Sequence, residues 1–193
     1  MTHPDATRWN ARYTAEREEW LERKPRQLLV DFASQLPKRG LALDAAAGVS
    51  ANGLFLAQRG LHVIALDISE TALKLAVNRA RALTLPIDAA VYDLTSPWLP
   101  EARFDVIINF RFLARETIPI YQQSLKPGGW LFFETFVKTF QDLPHLDYYL
   151  DPGELLRAYQ DFEILFWRED LKPDSGRAVA QLVARKPAGS MKG

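Results

Sequence analysis

The segment from Leu41 to Ser69 constrains the fold more strongly than any other part of the chain. It reads LALDAAAGVSANGLFLAQRGLHVIALDIS, in which a short apolar run closes on Asp44 and a run of mostly small residues follows. Apolar residues then recur at helical spacing as far as Gly60, a position typical of a helix C-cap glycine. A second apolar run closes on Asp67. The segment is therefore predicted to be a strand–helix–strand unit.

Asp67 lies about where a nucleotide-binding unit of this kind places the acid that holds a ribose, roughly 20 residues after the loop. The small residues at 45–50 would let the backbone approach a ligand closely. The G-x-G-x-x-G pattern of dinucleotide-binding proteins is absent, which argues against a nicotinamide dinucleotide.

The overall composition argues against several classes of protein. The 193 residues fit one domain of ordinary size, and 48% hydrophobic with 25% charged residues is typical of a globular protein. Basic and acidic residues balance to a net charge of zero, so we expect no nucleic-acid partner. No apolar run reaches about 20 residues, so we expect no membrane span.

Cysteine is absent, which removes disulfides, thiol nucleophiles and thiolate metal sites. Together with the lack of an apolar signal core near the N-terminus, this leads us to expect a cytoplasmic protein. The histidines His3, His62 and His145 are scattered, so no histidine-based metal centre is expected.

Strand and helix patterns alternate along the rest of the chain. Ser69 and Asp151 are predicted helix N-caps, and Glu154 would complete a capping box with Asp151. Lys126-Pro127-Gly128-Gly129 is predicted to end a helix before the next strand begins. Two helices, one of them over 6–22, precede strands expected at 41–44, 62–66, 86–91, 104–109, 130–133, 162–167 and 177–184.

This order predicts an α/β fold of three layers, doubly wound, with a mostly parallel sheet covered by helices on both faces. The last two strands form a hairpin, which implies one antiparallel strand. We expect a single domain over 1–186, with helices in 1–38 covering the ligand site and a disordered tail at 187–193.

Polar side chains end five successive strands, where a doubly wound sheet binds its ligand. A carboxylate after the second strand can accept from both hydroxyls of a ribose, and one after the third can accept from an adenine amine. Asp44 or Asp67 could instead cap the following helix, and Asp93 could form an Asx turn. The five strand-end residues are Asp44, Asp67, Asp93, Asn109 and Glu134.

The first helix carries Trp9, Tyr13 and Trp20 at roughly helical spacing. They could form one apolar stripe that packs the helix on the domain. Alternatively, Trp9 and Tyr13 form a lid over a bound ligand.

In order and spacing, these motifs resemble the Rossmann-like (class I) S-adenosylmethionine-dependent methyltransferases. The chain is most similar to the small bacterial group of tellurite- and thiopurine-methyltransferase-like proteins. The family's first motif, an acid and three alternate glycines, is Asp44 to Ser50 here, with Ala46 and Ser50 replacing two glycines. The other matching motifs are Ile64–Ser69, Asp93-Leu94, Phe104–Asn109, Leu125–Gly129, Trp9-Asn10 with Tyr13, and Pro152–Leu156.

The resemblance implies the strand order 3-2-1-4-5-7-6 and S-adenosyl-L-methionine as cofactor. Gly48 and its neighbours would contact the methionine end, Asp67 the ribose and Asp93 the adenine amine. The full set of implied cofactor contacts is Asp44, Ala46, Gly48, Asp67, Ile68, Asp93, Leu94 and Asn109.

The resemblance also implies a small-molecule methyl acceptor. A soft sulfur, selenium or tellurium nucleophile needs no protein base, whereas an oxygen or nitrogen acceptor could use Glu134. Arg111 could bind an anionic acceptor or form a surface salt bridge. Candidate positioning residues are Asn109, Arg111 and Glu134, and the expected acceptor pocket contains Trp9, Tyr13, Arg111, Tyr148 and Tyr149, with Phe110, Phe112 and Phe136.

Because Ala46 and Ser50 add side chains to the loop, an alternative is a degenerate module with weak or absent cofactor binding that acts through protein contacts. An alanine at positive φ would cost on the order of 1 kcal/mol or more. We expect a monomer or a weak homodimer.

Overall fold

The seven strands of the chain join in one sheet, in the order β3-β2-β1-β4-β5-β7-β6. This confirms the predicted α/β fold and strand order. The computed structural model describes residues 3–139, 146–171 and 177–189. The strands are β1 (Leu41–Ala45), β2 (His62–Asp67), β3 (Ile87–Val91), β4 (Phe104–Phe110), β5 (Leu125–Phe136), β6 (Glu163–Asp170) and β7 (Val179–Arg185).

Strand direction follows the predicted pattern. The β1–β2, β2–β3 and β4–β5 pairs are parallel, and β7 runs antiparallel to both β5 and β6. The helices are α1 (Pro4–Ala15), α2 (Arg17–Leu21), α3 (Gln27–Asp31), α4 (Ala51–Ala57), α5 (Glu70–Ala82), α6 (Thr117–Ser124) and α7 (Glu154–Ala158), with a 3₁₀ turn at Leu146–Tyr148. Among the helices of the described residues, none has the length and hydropathy that a membrane span requires.

Contacts divide the chain into two units, one up to Leu94 and one from Thr95. The first unit contains α1 to α5 and strands β1 to β3. β1 is almost wholly buried, as its continuous apolar run predicts. Ser69 is the N-cap of α5, as predicted, and its hydroxyl accepts from the N–H of Ala72.

The single helix predicted over 6–22 is wrong, because the chain leaves helical geometry at Glu16. The Glu16 carboxylate accepts from Nε of Arg12 at 3.0 Å and from the indole N–H of Trp20 at 3.1 Å. The break brings the ring of Trp20 within 4.6 Å of that of Tyr13. Side-chain contacts therefore override helical propensity at this position.

The second unit contains β4 to β7 with α6 and α7. Lys126-Pro127-Gly128-Gly129 does end α6, but it belongs to β5 rather than to a loop before it. The reason is that Gly128 donates to the carbonyl of Lys186, and Lys186 donates to that of Gly129. Backbone pairing with the chain after β7 thus extends the strand.

The predicted N-cap at Asp151 is also wrong. Gly153, with φ 72°, is the N-cap of α7, and the Asp151 carboxylate instead accepts from Nζ of Lys138 at 2.8 Å. Glu154 still accepts from the N–H of Asp151 at 2.8 Å, so half of the predicted capping box forms. Residues 172–176, which lie between the last two predicted strands, and the end of the predicted tail are outside the described residues.

Arg115, two residues before α6, joins three pieces of the second unit. Its Nε and Nη2 donate to the two carboxylate oxygens of Glu154 at 2.6 and 2.9 Å. Its guanidinium also donates to the carbonyls of Asp147 and Tyr149 at 3.2 and 3.0 Å. The Arg115 guanidinium therefore joins the 3₁₀ turn and the start of α7 to the segment before α6.

We predict that Arg115→Lys lowers the free energy of unfolding by about 1–2 kcal/mol, because an ammonium cannot reproduce the bidentate fork. Urea denaturation measures the change. The control is Arg168→Lys, since Arg168 is exposed and contacts Asp170 only at 3.5 Å, and it should change stability little. Equal effects of the two substitutions would contradict this role for Arg115.

Candidate functional site

The loop between β1 and α4 has an unusual backbone. Ala46, Gly48 and Ser50 have φ values of 52°, 55° and 53°, so all three alternate positions are left-handed. Such a conformation costs a residue with a Cβ roughly 1–2 kcal/mol, whereas glycine adopts it freely. The loop therefore keeps the turn for which alternate glycines are suited, with strain at Ala46 and Ser50.

Asp44, at the end of β1, accepts hydrogen bonds from this loop and from the helix that follows it. Its Oδ2 accepts from Oγ of Ser50 at 2.7 Å and from the N–H of Gly53, in the first turn of α4, at 3.1 Å. Asp44 thus caps the following helix, one of the two roles considered from the sequence. Burial raises its pKa to about 7, against the hydrogen bonds from Ser50 and Gly53, which lower it.

Asp67, at the end of β2, also accepts a hydrogen bond from this loop. Its Oδ2 accepts from the N–H of Gly48 at 2.7 Å, and its Oδ1 accepts from the N–H of Ser69 at 2.8 Å. The carboxylate is buried, and burial raises its pKa in spite of these bonds. Asp67 is therefore fixed in direction by the backbone on both sides.

Tyr13, from α1, lies over the same loop. A Cβ on Gly48 would overlap the Tyr13 hydroxyl, so any side chain at position 48 would displace it. The Tyr13 ring contacts Trp20 and, at 5.9 Å between centroids, Trp9. Burial, and then the charge of Asp67, raises the pKa of Tyr13, which keeps the phenol neutral.

The aromatic stripe of α1 packs on the domain, because Tyr13 and Trp20 form a buried cluster with Val49 and Ala72. Tyr13 also lies over Gly48 of the loop, so the same side chain packs α1 on the domain and covers the loop.

Asn10 anchors α1, a role that the sequence analysis missed. Its Oδ1 accepts from Oγ of Ser69 at 2.7 Å and from the N–H of Thr71 at 3.1 Å. The Asn10–Ser69 bond spans 59 positions, so no local pattern identifies it. The match of Trp9-Asn10 to the family's N-terminal element was the available signal.

The remaining predicted residues of the first unit lie after β2 and β3. Asp93 is 39% exposed, and its Oδ2 lies 3.8 Å from Nε2 of His3. Leu94 is buried and Ile68 is half-buried. These positions follow the strand ends, as expected from the sequence.

In the second unit, Asn109 is fully buried at the end of β4. Its Nδ2 donates to the carbonyl of Phe112 at 2.9 Å, and its Oδ1 accepts from the hydroxyl of Tyr121 at 3.2 Å. The Asn109 amide therefore stabilises the turn that follows β4.

Glu134 and Arg111 form an ion pair at the ends of β5 and β4. Oε1 of Glu134 lies 2.8 Å from Nε of Arg111, and Oε2 accepts from Nε2 of Gln181 at 2.7 Å. The Arg111 N–H also donates to the carbonyl of Glu134 at 2.7 Å, which holds Arg111 at φ 65°. The salt-bridge alternative for Arg111 is thus observed, with a buried rather than a surface carboxylate.

The aromatic residues of the expected acceptor pocket differ in exposure. Tyr149 is buried and its ring lies 6.0 Å from that of Phe136, whereas Tyr148 is 50% exposed. Arg111 and Arg177 both lie over the Phe136 ring, at 4.7 and 5.2 Å from its centroid. Arg177 was missed from the sequence, where it appeared only as the first residue of a predicted strand.

Comparison with known families matches residues 42–129 to a family described as a methyltransferase domain. Phosphoethanolamine N-methyltransferase 1 of Arabidopsis thaliana is 27% identical over 108 residues, which cover 50% of this chain and 21% of that protein. The 2-heptyl-1-hydroxyquinolin-4(1H)-one methyltransferase of Mycobacteroides abscessus is 33% identical over 116 residues, covering 58% and 51%. The chain thus spans about half or less of the length of these curated relatives.

Among solved structures, TehB from Haemophilus influenzae is similar, with a TM-score of 0.75 and 23% identity. The likeness covers 83% of this chain and 62% of the TehB chain. A second similar structure is the S-adenosylmethionine-dependent methyltransferase of Mesorhizobium loti, with a TM-score of 0.63 and 19% identity, covering 81% of this chain and 96% of that one. These findings confirm the resemblance to Rossmann-like methyltransferases stated from the motifs.

We predict that Asp44→Asn flattens the dependence of stability on pH. The pKa of Asp44 is about 7 in the folded protein and 3.8 ordinarily, so the folded state binds the extra proton and loses stability as pH rises from about 4 to 7. An asparagine carbonyl can accept from Ser50 and Gly53 without this penalty. Urea denaturation at several pH values measures the effect.

The Asp44→Asn variant should be more stable than the wild type at pH 8, by a few kcal/mol at most. Asp161→Asn is the control, because Asp161 is exposed. A wild-type decline between pH 4 and 7 that persists unchanged in Asp44→Asn would overturn the assignment.

We predict that Ala46→Gly raises the free energy of unfolding by about 0.5–1 kcal/mol, because relief of left-handed strain exceeds the entropy cost of glycine. Ser50→Gly should give no gain, since it also removes the hydrogen bond to Asp44. Ala47→Gly is the matched control: Ala47 has ordinary negative φ, so glycine there should destabilise. A loss of stability in Ala46→Gly would contradict the strain argument.

Proposed function

We propose that this chain, whose residues 42–129 match a methyltransferase-domain family and whose sheet has the order β3-β2-β1-β4-β5-β7-β6, is an S-adenosylmethionine-dependent methyltransferase acting on a small molecule. The observation that carries the proposal is the loop after β1, which has three alternate left-handed positions, two of them hydrogen-bonded to buried carboxylates. The family and the fold supply the reaction class, and the first unit supplies the residues for the cofactor.

Asp67 is the residue proposed to hold the ribose of S-adenosylmethionine. Two backbone N–H groups, from Gly48 and Ser69, already fix the direction of its carboxylate. A carboxylate has about four lone-pair positions, so it can accept from hydroxyl groups in addition to these donors. The buried setting strengthens such bonds, because little water competes for them.

The degenerate alternative is not favoured by the loop geometry. Ala46 and Ser50 adopt the conformations for which glycines are suited, and Ser50 adds a bond to Asp44. The replacements therefore strain the loop without changing its path. We infer that Ala46 and Gly48 present backbone groups to the methionine end of the cofactor.

The other proposed contacts lie around this loop. Asp93 with Leu94 would bind the adenine ring, and Ile68 would pack on its face. Tyr13, which already lies over Gly48, would enclose the loop side of the cofactor. When bound, S-adenosylmethionine supplies an electrophilic methyl group on a sulfonium.

The acceptor is proposed to be a soft sulfur, selenium or tellurium nucleophile. In-line methyl transfer depends chiefly on orientation, which supplies roughly 7–11 kcal/mol in well-aligned systems. Glu134, the candidate base for harder acceptors, faces Arg111 and Gln181 with its two oxygens. A soft anion needs no base, which agrees with a carboxylate occupied in this way.

Asp67→Asn should weaken binding of S-adenosylmethionine and S-adenosylhomocysteine by roughly 10- to 100-fold, because a charge-assisted acceptor is lost. Isothermal titration calorimetry measures both ligands. Asp88→Asn is the matched control, since Asp88 is an exposed carboxylate of β3 paired with His62. Unchanged affinity in Asp67→Asn would remove Asp67 from the ribose site.

The same titrations test the reaction class. An absence of heat with both ligands up to millimolar concentration, in a protein shown to be folded, would reject the methyltransferase proposal. If binding is observed, a methyl-transfer screen over thiols, selenite, tellurite and small phenols identifies the acceptor class. Transfer to phenols alone would reject the soft-nucleophile proposal.

A further inference from the structure

Asp44 and Asp67 are two buried carboxylates at the ends of adjacent parallel strands, and they are only 2% and 7% exposed. Their hydrogen bonds come from backbone N–H groups and from the hydroxyl of Ser50. Within the described part of the chain, no lysine or arginine forms an ion pair with either carboxylate. A buried negative charge without a cation is costly, so the pair favours a positive charge beside it.

The charged and titratable neighbours of Asp44 add to this imbalance. From β2, the charge of Asp67 raises the pKa of Asp44 in addition to burial. From α1, Tyr13 stays neutral, because burial and Asp67 raise its pKa. Arg12 and Arg23 lower the pKa of Tyr13, but neither contributes to the pKa of Asp44 or Asp67. A proton on Asp44 is therefore what relieves the negative charge near neutral pH.

The proposed cofactor changes its charge during the reaction. Methyl transfer breaks the bond between sulfur and the methyl carbon, leaves the electron pair on sulfur and gives the methyl group to the acceptor. A cationic sulfonium thus becomes a neutral thioether. The loop bonded to Asp44 and Asp67 is the part of the chain proposed to contact the methionine end, which carries this sulfur. In a buried site, a sulfonium favours a charged Asp44 and a thioether favours a protonated one.

We propose that Asp44 discriminates the sulfonium cofactor from its thioether product by charge: it loses its proton to solvent when S-adenosylmethionine binds and keeps it when S-adenosylhomocysteine is bound. This inference rests on the proposed methyltransferase function and adds a residue that sets the preference for substrate over product. Asp67 takes part by keeping the local charge negative. Asp44 is a positioning residue in this scheme, since it acts through the loop and through its charge.

Isothermal titration calorimetry in buffers of different ionisation enthalpy counts the protons exchanged on binding. At pH 7, S-adenosylmethionine should release about half a proton per site, because Asp44, with a pKa of about 7, loses the share that it carries. S-adenosylhomocysteine should release none. Sinefungin, which has an ammonium group in place of the sulfonium, should release protons as S-adenosylmethionine does. This third ligand separates the effect of the charge from that of the methyl group.

The two cofactor forms should also differ in pH dependence. From pH 6 to 8, the affinity for S-adenosylmethionine should rise by up to about tenfold relative to that for S-adenosylhomocysteine, as linkage to one proton requires. Asp44→Asn should abolish both the proton release and this rise. Ser50→Ala should move the rise to higher pH, because the hydrogen bond from Ser50 lowers the pKa of Asp44.

Asp88→Asn is the matched control, since Asp88 is an exposed carboxylate of the same unit and should leave the proton release at the wild-type value. Equal proton exchange with the two cofactor forms in the wild type, or a difference that persists in Asp44→Asn, would overturn the proposal. Thermal denaturation establishes that each variant is folded. If both ligands bind without a difference in protons, this inference alone fails, whereas an absence of binding rejects the methyltransferase proposal itself.

Discussion

The hydrogen bonds that two buried carboxylates accept from one loop are the interactions on which the proposed site depends. Ala46 and Ser50 adopt left-handed backbone at roughly 1–2 kcal/mol each. Within the loop, the N–H of Gly48 donates to Asp67 and the hydroxyl of Ser50 donates to Asp44. These bonds attach the strained loop to the ends of β2 and β1, although two glycines are replaced.

The same bonds prepare the loop for a ligand. Asp67 is already desolvated and directed by Gly48 and Ser69, so a hydroxyl donor would meet an acceptor that needs no reorganisation. Tyr13 lies over the other side of Gly48, and Asn10 helps to place it there by bonding α1 to the start of α5. The strained loop, the Asp67 carboxylate and α1 are therefore held together by hydrogen bonds and side-chain packing.

The sequence predicts well what depends on short-range patterns. Apolar periodicity located the strands, and the N-cap at Ser69 followed from residue type. Side-chain contacts were not predictable: the helix is interrupted at Glu16, whose carboxylate accepts from both Arg12 and Trp20, and Asp151 pairs with Lys138 instead of capping α7. In the site, the strand-end acids were identified, but their partners were not, because bonds such as Asn10 to Ser69 join residues with no shared motif.

The second unit shows how a strained backbone and a buried charge offset each other. Burying Glu134 without partners would be strongly unfavourable, and Arg111 at φ 65° carries its own strain. Arg111 resolves both through its ion pair and its N–H bond to the Glu134 carbonyl. A carboxylate engaged in this way must give up a partner before it can take a proton from an acceptor. This favours an acceptor that needs no protein base, such as the proposed soft sulfur, selenium or tellurium nucleophile.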